Sequence, residues 1–148
     1  MLPAESSELT ALQQALERAE LAQAAGGIGI HDYDIAADSI VWDSRVYALW
    51  GLPEGTPVTY QTFASGVHPD DLPAVEAAVA AALDPGGNGA YLATYRVRNQ
   101  TTGAIRVVEA RGRTRFRDGT AVRLVGTVRD ITGEEELRQE LREAIQFA

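Results

Sequence analysis

Apolar and polar residues alternate most strictly between Val108 and Arg117. Val108, Ala110, Gly112, Thr114 and Phe116 share one parity, and Glu109, Arg111, Arg113, Arg115 and Arg117 share the other. That is the period of a strand with one small, mostly apolar face and one charged face. Val122, Leu124, Gly126 and Val128 alternate with Arg123, Val125, Thr127 and Arg129 in the same way. Three strands are therefore predicted over residues 90–100, 104–117 and 121–131. Their links, residues 99–103 and the two-residue turn Asp118-Gly119, read as hairpins. One covered face suits antiparallel pairing.

Upstream, the period changes. Leu9, Leu12, Leu16 and Ala19 recur at three-four spacing, which predicts an amphipathic helix over residues 7–25, ended by Gly26-Gly27. Strand-like segments follow at 28–35 and 39–42, separated by Ala36-Ala37-Asp38. Asp43 is suited to cap a short helix over 44–50, whose Val46, Leu49 and Trp50 share a face. Residues 51–57 read as loop, and Thr59 as the cap of a second short helix to Ala64. Val67-His68-Pro69-Asp70-Asp71 opens a central helix over 71–83, with Asp70 as the expected cap and Asp71 in the first turn. Pro73 is tolerated there because first-turn N–H groups have no intrahelical partner. Residues 84–89 break that helix.

These elements in this order predict an α+β fold. A five-stranded antiparallel sheet curves around helices packed on one face, flanked by N- and C-terminal helices. The expected division is 1–25, 26–132 and 133–148. Ala110, Gly112 and Gly126 leave room on the inner face. Either a cavity lies there, or Trp42, Trp50, Phe63 and Tyr95 fill it.

At Asp130-Ile131-Thr132 the last strand runs into a charged helix with no loop between. Thr132 and Glu135 stand in the spacing of a capping box. Asp130, Ile131, Thr132 and Glu135 are thus the candidate residues for passing strain from sheet to helix. Beyond them Leu137, Leu141, Ala144 and Ala148 form a narrow seam, and Glu134 is spaced to pair with Arg138. With Leu9, Leu12 and Leu16, Leu137 and Leu141 are the candidate homodimer contacts.

Composition narrows the chemistry. At 148 residues, 45% apolar and 23% charged, the chain makes one ordinary globular domain. It has no cysteine, which excludes disulfides, thiolate metal sites, cysteine nucleophiles and thiol-dependent chromophores. There is no run of about 18 apolar residues and no basic-then-apolar leader, so a cytoplasmic protein without membrane insertion is expected. All thirteen cations are arginine, and nine fall between Arg96 and Arg129 beside only Glu109 and Asp118. Their alternation marks a solvated sheet face, and the net charge of −8 argues against nucleic acid. The only histidines are His31 and His68, without a third ligand or metal-binding spacing, so no metal site is expected. His31 is a candidate pH-sensitive contact on the sheet. Asp32, Asp34 and Asp38 read as strand-end and turn residues rather than catalytic carboxylates. No catalytic residue is assigned, and no phosphate-loop or nucleophile-elbow motif is present.

In these positions the chain resembles a PAS domain over about residues 26–132. The resemblance rests on Gly29-Ile30-His31-Asp32-Tyr33-Asp34, Val67-His68-Pro69-Asp70-Asp71, Thr94-Tyr95-Arg96, Gly103-Ala104-Ile105-Arg106 and the ending Leu124 to Thr132. It is closest to the bacterial subclass with a V-H-P-D-D helix start and a terminal D-I-T. His31, Thr94 and Val107 depart from that pattern, which usually has Trp, Glu and Trp there. The resemblance implies a non-catalytic cytosolic sensor or scaffold. Such a module dimerises through its flanking helices and regulates an output such as a histidine kinase or a diguanylate cyclase. It also implies pocket residues Trp50, Phe63, Thr94, Val108, Ala110, Leu124 and Val128. A redox flavin or a small organic ligand is compatible with such a pocket. Haem is not expected, because the central helix carries no histidine. The rival class is a small α+β enzyme or binding protein with a pocket behind its sheet, which would need an inward polar dyad.

Overall fold

The computed structural model describes residues 3–146, with no side chain described at positions 3–6, 16, 19, 20 and 22–24. The side chains of Leu16 and Ala19 and the whole of Ala148, all parts of the expected seams, lie outside the described residues. The elements are α1 (Pro3–Gly26), β1 (Ile28–Asp34), β2 (Ser39–Trp42), α2 (Ser44–Trp50), α3 (Tyr60–Gly66), α4 (Leu72–Leu83), β3 (Ala90–Arg98), β4 (Ile105–Arg117), β5 (Thr120–Asp130) and α5 (Thr132–Gln146). The five strands make one antiparallel sheet in the order β2-β1-β5-β4-β3. The first and last hairpins are thus joined edge to edge through β1 and β5.

Local chemistry accounts for most boundaries. Asp43 caps α2, its Oδ1 accepting from Val46 N at 3.1 Å. Thr59 caps α3 through a reciprocal pair with Thr62. The turn between β4 and β5 has φ of 49° at Asp118 and 75° at Gly119. Positive φ at both central residues is the two-residue turn that matches strand twist.

One cap differs from expectation. Asp71, not Asp70, precedes α4, and it makes no side-chain cap bond. Its carboxylate is drawn instead to β3, accepting from Arg96 Nε at 2.9 Å, Arg96 Nη2 at 2.8 Å and Arg96 N at 2.8 Å. A planar guanidinium offers two parallel donors and outcompetes one first-turn amide. His68 shapes the preceding turn, its Nδ1 accepting from Asp70 N at 3.1 Å.

The core lies between the sheet and α2, α3 and α4. Val46, Trp50, Val75, Val97 and Val108 are its most deeply buried large side chains. The outer face of the sheet stays open, with Leu92 and Val125 exposed among the arginines of β4. The described leucines of both terminal helices lie outside this core. Leu9 is 45% exposed, Leu12 67%, Leu137 66% and Leu141 60%.

Candidate functional site

The inner face of the sheet and the helices enclose a small chamber. Its wall is aromatic: Tyr33 and Trp42 from the first hairpin, Trp50 from α2, Tyr60 and Phe63 from α3, Tyr91 and Tyr95 from β3. His31, Ile40, Val79, Ala110, Leu124 and Val128 complete it. The free volume is about 40 Å³. That exceeds the ~10–15 Å³ that one water needs. As packed, the void is far smaller than the roughly 300–1,000 Å³ of an ordinary ligand pocket.

Of the residues expected at a pocket, the structure brings together Trp50, Phe63, Ala110, Leu124 and Val128. Val108 is fully buried, but it packs opposite Tyr95 and Asp130 in the core and does not line the void. Thr94 is placed on the opposite face. Tyr91 and Tyr95 are buried at 5% and 2% exposure, so strand parity sends Thr94 outward beside Glu109. The four-residue spacing of Tyr91 and Tyr95 was the available signal for those two wall residues. Tyr33, Tyr60 and His31 carried no comparable signal, because cross-strand register decides where they land.

That register makes one row across the inner face: Trp42, His31, Gly126, Gly112 and Tyr91. The room left by the two glycines is not void. The His31 ring takes it, meeting Tyr91 edge-on with centroids 6.1 Å apart. His31 Nε2–H donates to the Arg111 carbonyl oxygen at 3.0 Å, and this oxygen lies where a Cβ on residue 126 would fall. A carbonyl only accepts, so the shared proton sits on Nε2 and leaves Nδ1 bare in the neutral ring. Burial lowers the His31 pKa below its ordinary 6.5, against the opposing pull of the Arg111 carbonyl and Asp32.

The sign of the resulting pH dependence follows. The unfolded chain binds this proton more readily, so stability is full above pH 6.5 and declines as pH falls below it. Asp71 is held below the ordinary carboxylate value of 3.8 by the side-chain hydrogen bonds of Arg96, and its contribution is lost only at lower pH. The expected urea midpoint therefore falls in two stages on acidification. His31→Gln should erase the first stage and leave the second. A single stage in the parent protein, starting near pH 4, would contradict this.

The carboxylates of the first hairpin do not assemble as a dyad. Asp32 is paired with Arg123, with Nε to Oδ1 at 2.8 Å. Asp34 accepts from Ala37 N at 3.2 Å, and Asp38 accepts from Tyr60 N at 3.0 Å. None of them lines the chamber. Among the described residues no cluster of three or more His, Asp or Glu could hold a metal ion.

The junction of β5 and α5 is built differently from the expected capping box. Thr132 Oγ1 accepts from Val107 N at 2.9 Å and donates to Asp130 Oδ1 at 2.5 Å. Asp130 Oδ1 also accepts from Thr132 N at 2.9 Å, and its Oδ2 accepts from Arg106 Nε at 2.9 Å. Ile131 N donates to Val107 O at 2.8 Å. Glu135 turns outward to Arg138 and Arg142, and Glu134 pairs with Arg129 rather than Arg138. A buried threonine between a strand amide and a carboxylate has better partners than a solvated helix end. Burial pushes the Asp130 pKa up, but the Thr132 and Arg106 hydrogen bonds outweigh it and hold the carboxyl below 3.8. The outcome is a bolt joining β4, β5 and the first turn of α5.

Residues 39–128, most of the sheet and all of the central helices, match the family described as PAS fold. The chain belongs to the PAS family. Over 117 residues this PAS domain is 32% identical to the "Sensor protein FixL" of Bradyrhizobium diazoefficiens, covering 78% of this chain and 23% of that protein. It is 28% identical over 130 residues to "Probable diguanylate cyclase DgcE" of Escherichia coli, covering 87% of this chain and 11% of that one. It thus spans about a quarter or less of these relatives. A sensory box histidine kinase/response regulator structure from Burkholderia thailandensis superposes with TM-score 0.72 at 25% identity, covering 87% of this chain and 95% of that one. No helix among the described residues of this PAS domain is long and apolar enough to cross a membrane.

Proposed function

We propose that this PAS domain is a non-catalytic cytosolic sensing and dimerisation module. It converts a change in its chamber into movement of α5, which drives a histidine kinase, diguanylate cyclase or similar output in the same chain or in a partner. The observation that carries this reading is the Asp130–Thr132 bolt. Val128 lines the chamber two residues before Asp130, and Val107, one residue before buried Val108, donates its N–H to Thr132 Oγ1. A shift of the chamber wall therefore reaches the start of α5 through hydrogen bonds rather than through a slack loop. Membership of sensor proteins among the relatives supports the same reading.

The exposed leucines supply the second half of the mechanism. Leu137, Leu141 and Ile145 recur every four residues and are each at least 60% exposed, and Leu9 and Leu12 are unburied on α1. In a dimer two such stripes bury one another and give α5 two alternative packings. Sedimentation should show a concentration-dependent dimer that is lost in Leu12→Glu or Leu141→Glu. A monomer at all concentrations, or a dimer indifferent to both changes, would remove the proposal. Turnover lost on replacing Asp32 or Asp34 would favour the enzyme instead.

A further inference from the structure

The chamber wall carries polar groups that the protein itself does not use. Tyr33 donates its hydroxyl to Asp38. By contrast, the hydroxyls of Tyr60, Tyr91 and Tyr95 make no hydrogen bond to the described residues. Tyr91 and Tyr95 are 95% and 98% buried, the complements of their 5% and 2% exposure. Neither hydroxyl is a sealed orphan, since among the described residues the sealed side-chain atom without a partner is Thr114 Oγ1. Both hydroxyls keep accessible surface, and both residues line the chamber. His31 adds a bare Nδ1, also without a partner among the described residues.

Buried polar groups without protein partners are satisfied by water or by a ligand. The chamber has three features that choose among ligands. It has O–H donors in excess, which ask for an acceptor oxygen with two lone pairs. It has a nitrogen acceptor, which asks for an N–H. It has no carboxylate and no arginine among its lining residues, so an ion entering it finds no opposite charge. A purely apolar guest would leave the phenols unpaired.

Resting on the sensory reading above, we propose that the chamber is a site for a neutral, amide-sized molecule of a few non-hydrogen atoms. Its carbonyl accepts from the Tyr91 and Tyr95 hydroxyls, and its N–H donates to His31 Nδ1. Such a guest takes the place of the waters that would otherwise satisfy these groups. Its carbonyl and N–H replace their hydrogen bonds, so displacing them forfeits none.

The test is a titration of protein with ¹³C-labelled tyrosine rings, using acetamide, acetate and cyclopropane as probes. Acetamide should shift the Tyr91 and Tyr95 signals saturably below about 100 mM. It should bind at least about fivefold more tightly than acetate or cyclopropane, the worth of one net hydrogen bond. Tyr95→Phe should weaken acetamide about fivefold while preserving cooperative thermal unfolding. Should that variant fail to fold, Tyr91→Phe poses the same question. The inference is overturned if cyclopropane or acetate binds as well as acetamide, if no probe saturates, or if folded phenylalanine variants bind acetamide unchanged. Spin labels on α5 in the same samples test the relay separately. Saturation at the rings without any response in α5 would sink the relay and leave the site standing.

Discussion

Gly126→Ala is expected to cost about 3 kcal/mol of folding stability, a large effect for one methyl group. A Cβ at residue 126 would overlap the Arg111 carbonyl oxygen and approach Gly112 Cα to 2.5 Å. Both obstacles are backbone, and neither can swing aside as a flexible side chain would. Relief requires the Arg111 carbonyl to move, which also breaks its bond to His31. Urea unfolding at pH 7 measures the loss. Gly133→Ala is the matched comparison. Its Cβ meets nothing within 4 Å, and the residue lies within α5. There alanine should add up to about 1 kcal/mol. Equal effects at the two glycines would contradict the clasp described here.

Thr132→Val is expected to cost about 2 kcal/mol and to loosen α5 while the sheet survives. Valine keeps the shape of threonine but leaves the Val107 N–H without its 2.9 Å acceptor and Asp130 without one of its donors. An orphaned buried amide costs about 1–3 kcal/mol. The distinguishing readout is amide exchange. The Val107 N–H should lose protection, as should the first turn of α5, where Glu135 N bonds Ile131 O at 2.9 Å. Amides at the centre of β4 and β5 should keep theirs. Thr132→Ser retains the hydroxyl and should restore most of the protection. Thr132 is 8% exposed, so an unaltered exchange pattern could not be ascribed to solvent replacing the hydroxyl, and it would remove the bolt.

The two experiments probe opposite ends of one structure. Gly126 decides how β4 and β5 meet at the chamber, and Thr132 decides how they end. The inner residues of β5 that flank Gly126, Leu124 and Val128, face the void. Disturbance at the first site with an intact second should leave α5 ordered on a weakened sheet. Disturbance at the second should do the reverse.

Much of this protein is written locally. Strict alternation along β4 and β5 determines two strands with one covered face, because successive side chains point to opposite sides. Asp43 and Thr59 determine two helix starts, since their side chains satisfy amides only three residues away. The absence of cysteine means that no side chain of these 148 residues supplies a thiol. What depends on partners distant in sequence could not be read this way. Asp71 abandons its helix for Arg96, 25 residues on, and Thr132 abandons the spacing of a capping box for Val107, 25 residues back. The glycines at 112 and 126 announce spare room, yet only the five-strand register shows that His31, 80 residues from Arg111, takes it. Short-range hydrogen bonds and side-chain parity are properties of neighbours, and the chain alone determines them. Which groups compete for a buried donor is a property of the packed interior, and the tertiary structure decided it.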